Sequence, residues 1–228
     1  MEAETSLATR AFRGLAQFLL ALALITFAAA GTLVYWQGWL FLAVFGAGSA
    51  LATYDIFKRD PALLEGRLKA GPGAEQRLVQ KLIQAGATIA FLAAVCIPAL
   101  DYRFGWSQVP LLLVLAGFAL LMAGFAGIYW VFRVNSFAVA TITKADHHHV
   151  VSTGPYAIIR HPMYSAALLM FVGIPLGLGS YWGLLVLPFL VVLLAVRLLD
   201  EERFLAENLD GYRDYRNHIR YRLIPLIW

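Results

Sequence analysis

Three short runs carry most of the reactive side chains in this chain. The first is GPYAIIRHPMY at 154–164, which gathers two prolines, Arg160, His161 and two tyrosines. Gly154-Pro155 makes a turn, and Pro162 suits the first turn of a helix, where its missing N–H costs nothing. Backbone N–H groups at such an end, with Arg160 and His161 beside them, can bind a carboxylate or a phosphate. The plainer reading is a helix start with interfacial tyrosines and Arg160 as a snorkelling anchor. The second run is VLLAVRLLDEERFL at 192–205. Its Arg197 and Glu201 stand i, i+4 on one helical face, and Asp200, Glu201 and Glu202 set three carboxylates together. Arg197 either snorkels or faces the bundle interior, and ionisable groups inside a membrane bundle are functional candidates. The third run, GYRDYRNHIRYR at 211–222, alternates bases with aromatics and predicts an interfacial amphipathic helix. On it Arg213, Arg216 and Arg220 share a face, with Leu209, Tyr212, Tyr215 and Ile219 toward the bundle or the lipid. The histidines at 147–149 have no Cys, Asp or Glu at ligand spacing, so no metal is expected.

The elements that must position these groups are membrane helices. The chain has 228 residues, of which 61% are hydrophobic and 14% charged, and its mean hydropathy is +0.70. A soluble domain carries about a quarter charged residues. No residue is charged between Arg13 and Asp55, about enough for two spans of roughly 20 residues each. The cluster Tyr35-Trp36-Gln37-Gly38-Trp39 divides them into Gly14–Val34 and Trp39–Asp55. A cleaved signal peptide ending near Ala28-Ala29-Ala30 is the alternative for the first run. Lys58 to Lys81 reads as a polar loop with one short interfacial helix. Leu82–Leu100 and Val109–Phe132 are the third and fourth spans, joined by a connection over Asp101 to Ser107. From His161 to Val196 only His161 can carry a charge, and the stretch Gly177 to Gly183 breaks that run into two short helices. The expected fold is therefore all-α, a polytopic bundle of about six transmembrane helices.

Charge distribution supports that count. Seventeen of the 18 basic residues fall in segments assigned to one face, and Arg103 alone falls on the other. By the positive-inside rule that face is cytoplasmic, with both termini on it. The bases are mixed with acids beside the spans, which points to lipid headgroups and away from nucleic acid. Cys96 is the lone cysteine and lies in an apolar run, so it reads as core. No phosphate-binding glycine loop and no Rossmann glycine pattern are present.

Taken in order, HHVVSTGPYAIIRHPMY at 148–164, a helical hairpin, RLLDEERFL at 197–205, GYRDY at 211–215 and RLIP at 222–225 resemble the isoprenylcysteine carboxyl methyltransferase family and its phospholipid-methyltransferase relatives. The resemblance covers about Asn135 to the C-terminus. It divides the chain into helices 1–4 with a cytoplasmic loop at 56–81 (residues 1–134) and a catalytic region (135–228). It implies a multi-pass enzyme of a prokaryotic cytoplasmic membrane, with its active site facing the cytoplasm. S-adenosylmethionine would be the cofactor, held in a C-terminal pocket without a Rossmann domain. The implied cofactor contacts are His148, His149, Val150, Val151 and Tyr156, then His161, Pro162, Met163 and Tyr164, with Glu201 beyond the hairpin. Thr141 stands where relatives often have a glutamine contact. Arg197 would face the methyl acceptor and, with Glu201, carry the catalytic role; a guanidinium can grip an acceptor carboxylate bidentately, as lysine cannot.

The acceptor is expected to be lipophilic or small. An isoprenylcysteine-type carboxylate is favoured, beside a small thiol or a phospholipid amine; membrane lipids are the other expected partners. The alternative readings are a membrane reductase of the sterol-reductase type using NADPH, and a small transporter or scaffold.

Overall fold

The computed structural model describes residues 2–68, 78–137 and 149–228, and every regular element among them is helical. In chain order these are α1 (Glu2–Ala30), α2 (Trp36–Arg59), α3 (Pro61–Leu68), α4 (Leu78–Phe104), α5 (Leu111–Val134), α6 (Pro162–Gly177), α7 (Val186–Asn208) and α8 (Tyr212–His218). Short 3₁₀ turns at Gly154–Ala157 and Trp182–Leu185 lead toward α6 and into α7.

Among the described residues five helices are long and apolar enough to cross a membrane, counting α7 with its leading turn as Trp182–Asn208. The sixth apolar helix, α6, has only 16 residues. At 1.5 Å per residue it reaches about 24 Å, short of the roughly 30 Å hydrocarbon core. The chain is thus an integral membrane protein with about six apolar helices, one of them short.

Several boundaries differ from those read in the sequence. α1 begins near the N-terminus, so Arg10 and Arg13 are helical residues and not a preceding tail. α4 outruns its expected span at both ends, because charged residues do not break a helix whose backbone bonds continue to be made. Asp101, expected in a connection, lies inside α4 and is almost fully buried. Its carboxylate accepts from the backbone N–H and Oγ of Ser107, each at 2.6 Å, and from Oγ of Ser180 at 2.5 Å. Those bonds satisfy a charge that burial would otherwise penalise heavily. The second half of the expected short hairpin is a full-length helix, since the break ends at Gly183 and α7 then runs uninterrupted past the three carboxylates.

Packing follows from residue size. Where α5 crosses α6, a Cβ on Gly117 would sit 2.2 Å from the backbone N of Gly177, and one on Gly173 would sit 2.6 Å from the carbonyl of Gly117. Only glycine permits that approach, the small-residue mode by which membrane helices associate without a hydrophobic drive. The central core joins Leu22 and Phe27 of α1, Phe41 of α2, Val95 of α4, Phe118 and Leu121 of α5 and Ile174 of α6. A second cluster lies at the basic end: Leu7, Ile56, Leu63, Leu64, Val131 and Phe132, with Tyr156 and Met163 against it. It seats α3 beside the start of α6. At the opposite end Trp36, Trp39, Phe104, Trp106, Tyr181 and Trp182 are exposed, as interfacial aromatics should be.

Candidate functional site

Pro162 opens α6, and Pro155 is buried in the turn before it. The amides of Arg160 and His161 donate to the carbonyls of Tyr221 and Arg222, both at 2.9 Å. Ser165 Oγ donates to the carbonyl of Leu223 at 2.6 Å. The C-terminal segment therefore lies across the helix mouth and takes the amides of the two residues just before it. Buried amides rarely go unpaired, and the chain supplied the acceptors itself.

Arg160 is not a snorkelling anchor. It is 7% exposed and its Nε lies 2.8 Å from Glu202 Oε1, while Nη1 reaches the carbonyls of Arg216 and Ile219. Glu202 also receives His161 Nε2 at 3.3 Å and Arg222 Nε at 3.1 Å. One buried carboxylate thus ties together α7, the start of α6 and the C-terminal segment. The sequence singled out Glu201 and left Glu202 as one of three neighbouring acids.

Glu201 serves a different group. Its Oε2 accepts the hydroxyl hydrogen of Tyr164 at 2.5 Å, and the same hydroxyl oxygen accepts from Arg197 Nε at 3.1 Å. Tyr164 and His161 also stack, with ring centroids 5.6 Å apart. Arg197 Nη1 donates to Gln80 Oε1 at 2.8 Å, and Gln80 Nε2 donates to Asp200. Arg197 therefore points into the bundle, held by α6 on one side and α4 on the other. Close by, Arg67 of α3 lies over the ring of Phe132 at 5.0 Å. Burial, and then the charge of Arg197, hold the Arg67 guanidinium below its ordinary pKa.

The remaining sequence-predicted residues surround this pair of networks. Tyr156 Oη accepts from Asn135 Nδ2, and its carbonyl accepts from Tyr215 Oη, both at 2.8 Å. Burial raises the Tyr156 hydroxyl to about 12. Pro162 is buried and Met163 packs on the second core cluster. Val150 lies 4.0 Å from the position of a Cβ on Gly211, at the head of α8. Val151 is half-buried, and His149 meets Phe137 edge to face at 5.0 Å. His148 and Thr141 lie outside the described residues.

The expected amphipathic helix is shorter than its charge pattern suggested. α8 spans seven residues, with Tyr212 and Tyr215 turned into the bundle and Arg213 and Arg216 exposed. Burial raises the pKa of both tyrosines, and Glu202 adds to the rise at Tyr212. Tyr212 Oη is buried and has no hydrogen-bond partner among the described residues. An orphaned hydroxyl beside Glu201 and Glu202 is the kind of atom a bound polar ligand would complete.

Sequence reading missed Glu202, Gln80, Arg67 and Tyr212 as site residues. Glu202 and Tyr212 stand inside runs already singled out; Gln80 and Arg67 stand in no motif and come close only through the fold.

Among curated proteins no match to the chain was found. The stretch that carries α5, the α6–α7 hairpin, Tyr164, Arg197, Glu201 and Glu202 does match a family model, that of phospholipid methyltransferase, at residues 112–210. Over that stretch the chain is similar to the phospholipid methyltransferase family, a group of membrane methyltransferases that includes relatives of the isoprenylcysteine carboxyl methyltransferase type.

Proposed function

We propose that the chain transfers a methyl group from S-adenosylmethionine to a lipophilic or small acceptor, with an anionic acceptor favoured. An isoprenylcysteine-type carboxylate is the favoured acceptor, ahead of a small thiolate or a phospholipid amine. The observation that carries this reading is the bonding of Arg197 and Glu201 to one hydroxyl, that of Tyr164. Because Tyr164 donates to Glu201, its lone pairs turn toward Arg197, and the guanidinium plane is aimed without losing its charge. Tyr164 and Gln80 are neutral anchors, and a guanidinium aimed by them would draw an anionic acceptor.

The orphaned Tyr212 hydroxyl and the aromatic rings of Tyr156, His161, Tyr164 and Tyr212 suit a polar, cationic cofactor. Those residues and Glu201 would hold it, with His148, His149, Val150 and Val151 contributing from the preceding loop. When bound, S-adenosylmethionine supplies an electrophilic methyl group on a sulfonium. A carboxylate acceptor arrives ionised, so no general base is required of the protein. Its residues need to align the acceptor and exclude water, and alignment alone can be worth several powers of ten. The active site would face the cytoplasm, where the cofactor is found, and the acceptor would enter from the bilayer.

The test is calorimetric binding of S-adenosylmethionine and NADPH to the detergent-purified chain, followed by labelled methyl transfer to prenylcysteine carboxylates, thiols and phospholipid amines. Binding of the first cofactor and transfer to the carboxylate are expected. Arg197→Ala should abolish turnover while cofactor affinity changes less than about threefold, the pattern of a lost transition-state contact. Failure to bind S-adenosylmethionine would end the proposal.

A further inference from the structure

The N-terminal half of the chain reaches the site through a residue that no motif marks. Gln80, in the first turn of α4, is fully buried. Its Oε1 accepts from Arg197 Nη1 at 2.8 Å, and its Nε2 donates to Asp200 Oδ2. Arg197 and Asp200 are three residues apart on α7, so one glutamine spans one turn of that helix. The amide's orientation is dictated by chemistry. A guanidinium only donates and an ionised carboxylate only accepts, so a flipped amide would oppose like groups on both sides.

We propose that Gln80 is a positioning residue that fixes the aim of Arg197 toward the acceptor anion. This rests on Arg197 being the acceptor's guanidinium, as proposed above. Tyr164 holds the guanidinium at Nε and Gln80 holds it at Nη1, so two bonds from two different helices determine its plane. Glutamine suits the task better than its isosteres. Glutamate would cancel the charge that Arg197 offers the acceptor and would face Asp200 with a like charge. Leucine would leave Arg197 short of one anchor and Asp200 short of one donor. Since Gln80 lies outside residues 112–210, the acceptor side of the site would be tuned by α4 and not by the family's shared hairpin.

Full-length chain in detergent, carrying Gln80→Leu, Gln80→Glu, Gln80→Glu/Asp200→Asn, Arg197→Met and Gln80→Leu/Arg197→Met, provides the test. Kinetics use an N-acylated S-prenylcysteine carboxylate, with cofactor affinity measured by calorimetry. Gln80→Leu should lower acceptor kcat/KM on the order of 10- to 100-fold, the scale of a misaimed group, with cofactor affinity within about twofold. Gln80→Glu should be impaired too. The swap with Asp200→Asn restores a donor to the glutamate and should recover about tenfold over Gln80→Glu.

Thermal unfolding of Gln80→Leu, Arg197→Met and their double variant should be non-additive, as for residues in contact. Additive losses, or cofactor affinity falling in step with turnover, would overturn the proposal. If Gln80→Leu does not fold, the swap decides, and no recovery overturns it. A wild-type chain that binds no S-adenosylmethionine yet gives a non-additive cycle would fail the proposed function while upholding the Gln80 anchor on Arg197.

Discussion

Arg160 and Glu202 form a buried ion pair, Nε to Oε1 at 2.8 Å, with each side chain 5% exposed. The two residues are 42 positions apart and sit on either side of the α6–α7 hairpin. Around the pair, Glu202 also meets His161 and Arg222. The pair therefore fastens the hairpin's basic end to the C-terminal segment, next to the Tyr164–Glu201–Arg197 chain of hydrogen bonds. Adjacent carboxylates on α7 thus divide the work: Glu202 holds the architecture and Glu201 addresses the site.

Removing Glu202 should cost more stability than removing Glu201. Glu202→Ala strands the Arg160 charge in a buried setting, a loss on the order of 3–5 kcal/mol. The half-buried Glu201 leaves a tyrosine hydroxyl in want of an acceptor, worth about 1–3 kcal/mol. Thermal unfolding in detergent should show Glu202→Ala well below Glu201→Ala. A Glu202→Leu/Arg160→Met pair should recover part of the loss, because the most deeply buried of the charges that Glu202 pairs is removed with it. Equal losses for Glu201 and Glu202 would remove the division of labour.

The glycine crossing of α5 on α6 makes a second prediction. Gly173→Ala would place a methyl 2.6 Å from the carbonyl of Gly117 and 2.7 Å from the N of Leu121, both backbone atoms. Neither can step aside, so the helices must separate, with overpacking costs of about 1–3 kcal/mol. Gly14→Ala, on an exposed position of α1 with open space around it, should be neutral, or stabilising by up to about 1 kcal/mol from helix propensity. Unfolding temperatures of the two variants check the contrast. A Gly173→Ala protein as stable as Gly14→Ala would show that the close approach is not required.

What could be read from the sequence was whatever depends on neighbours in the chain. Charge-free runs located the membrane helices, the break at Gly177 to Gly183 located the hairpin, and the i, i+4 spacing of Arg197 and Glu201 put them on one face. Their meeting point, Tyr164, lay in the motif already singled out. Helix ends were less legible, since Asp101 and Lys81 look like loop residues until Ser107 and Ser180 are seen to satisfy the first and the helix to continue through the second. Gln80 and Arg67 were not legible. A glutamine in the first turn of a helix signals nothing by spacing, and its role follows from α4 packing against α7. Spacing from Arg197 picked out Glu201, but the tie of Glu202 to Arg160, His161 and Arg222 depends on how α7 packs, which three consecutive acids do not reveal.

Tyr156 supplies a pH dependence. Burial raises its hydroxyl to about 12 from an ordinary 10.0. A raised folded-state pKa means the group adds stability below about pH 10 and loses it as pH climbs through 12. Tyr212 and Tyr215 shift in the same direction, so all three predict base-induced loosening of the C-terminal segment. The difference in unfolding temperature between wild type and Tyr156→Phe should be largest near pH 8 and shrink between about pH 10 and 12. A difference that grows across that window would reverse the sign of the linkage.

Arg67 tests whether the acceptor side is built for an anion. It rides on α3, which is held by the burial of Leu63 and Leu64 near Phe132, and its guanidinium lies 5.0 Å over that ring. Arg67 feels the charge of Arg197, so an anion bound beside the two guanidiniums would be attracted by both. Replacing Arg67 with methionine keeps an apolar stem against Phe132 and removes the charge. The KM for a prenylcysteine carboxylate should then rise on the order of tenfold, about 1.4 kcal/mol. The Ki of the corresponding neutral amide, as a competitive inhibitor, should stay within about twofold. Affinity for S-adenosylmethionine should also hold, since Arg67 neighbours Arg197, the proposed acceptor contact, and not Tyr212. If carboxylate and amide weaken equally, Arg67 shapes the pocket through packing alone. If neither weakens, the charge at α3 does not reach the acceptor, and Arg197 with its Gln80 and Tyr164 anchors must select the anion unaided.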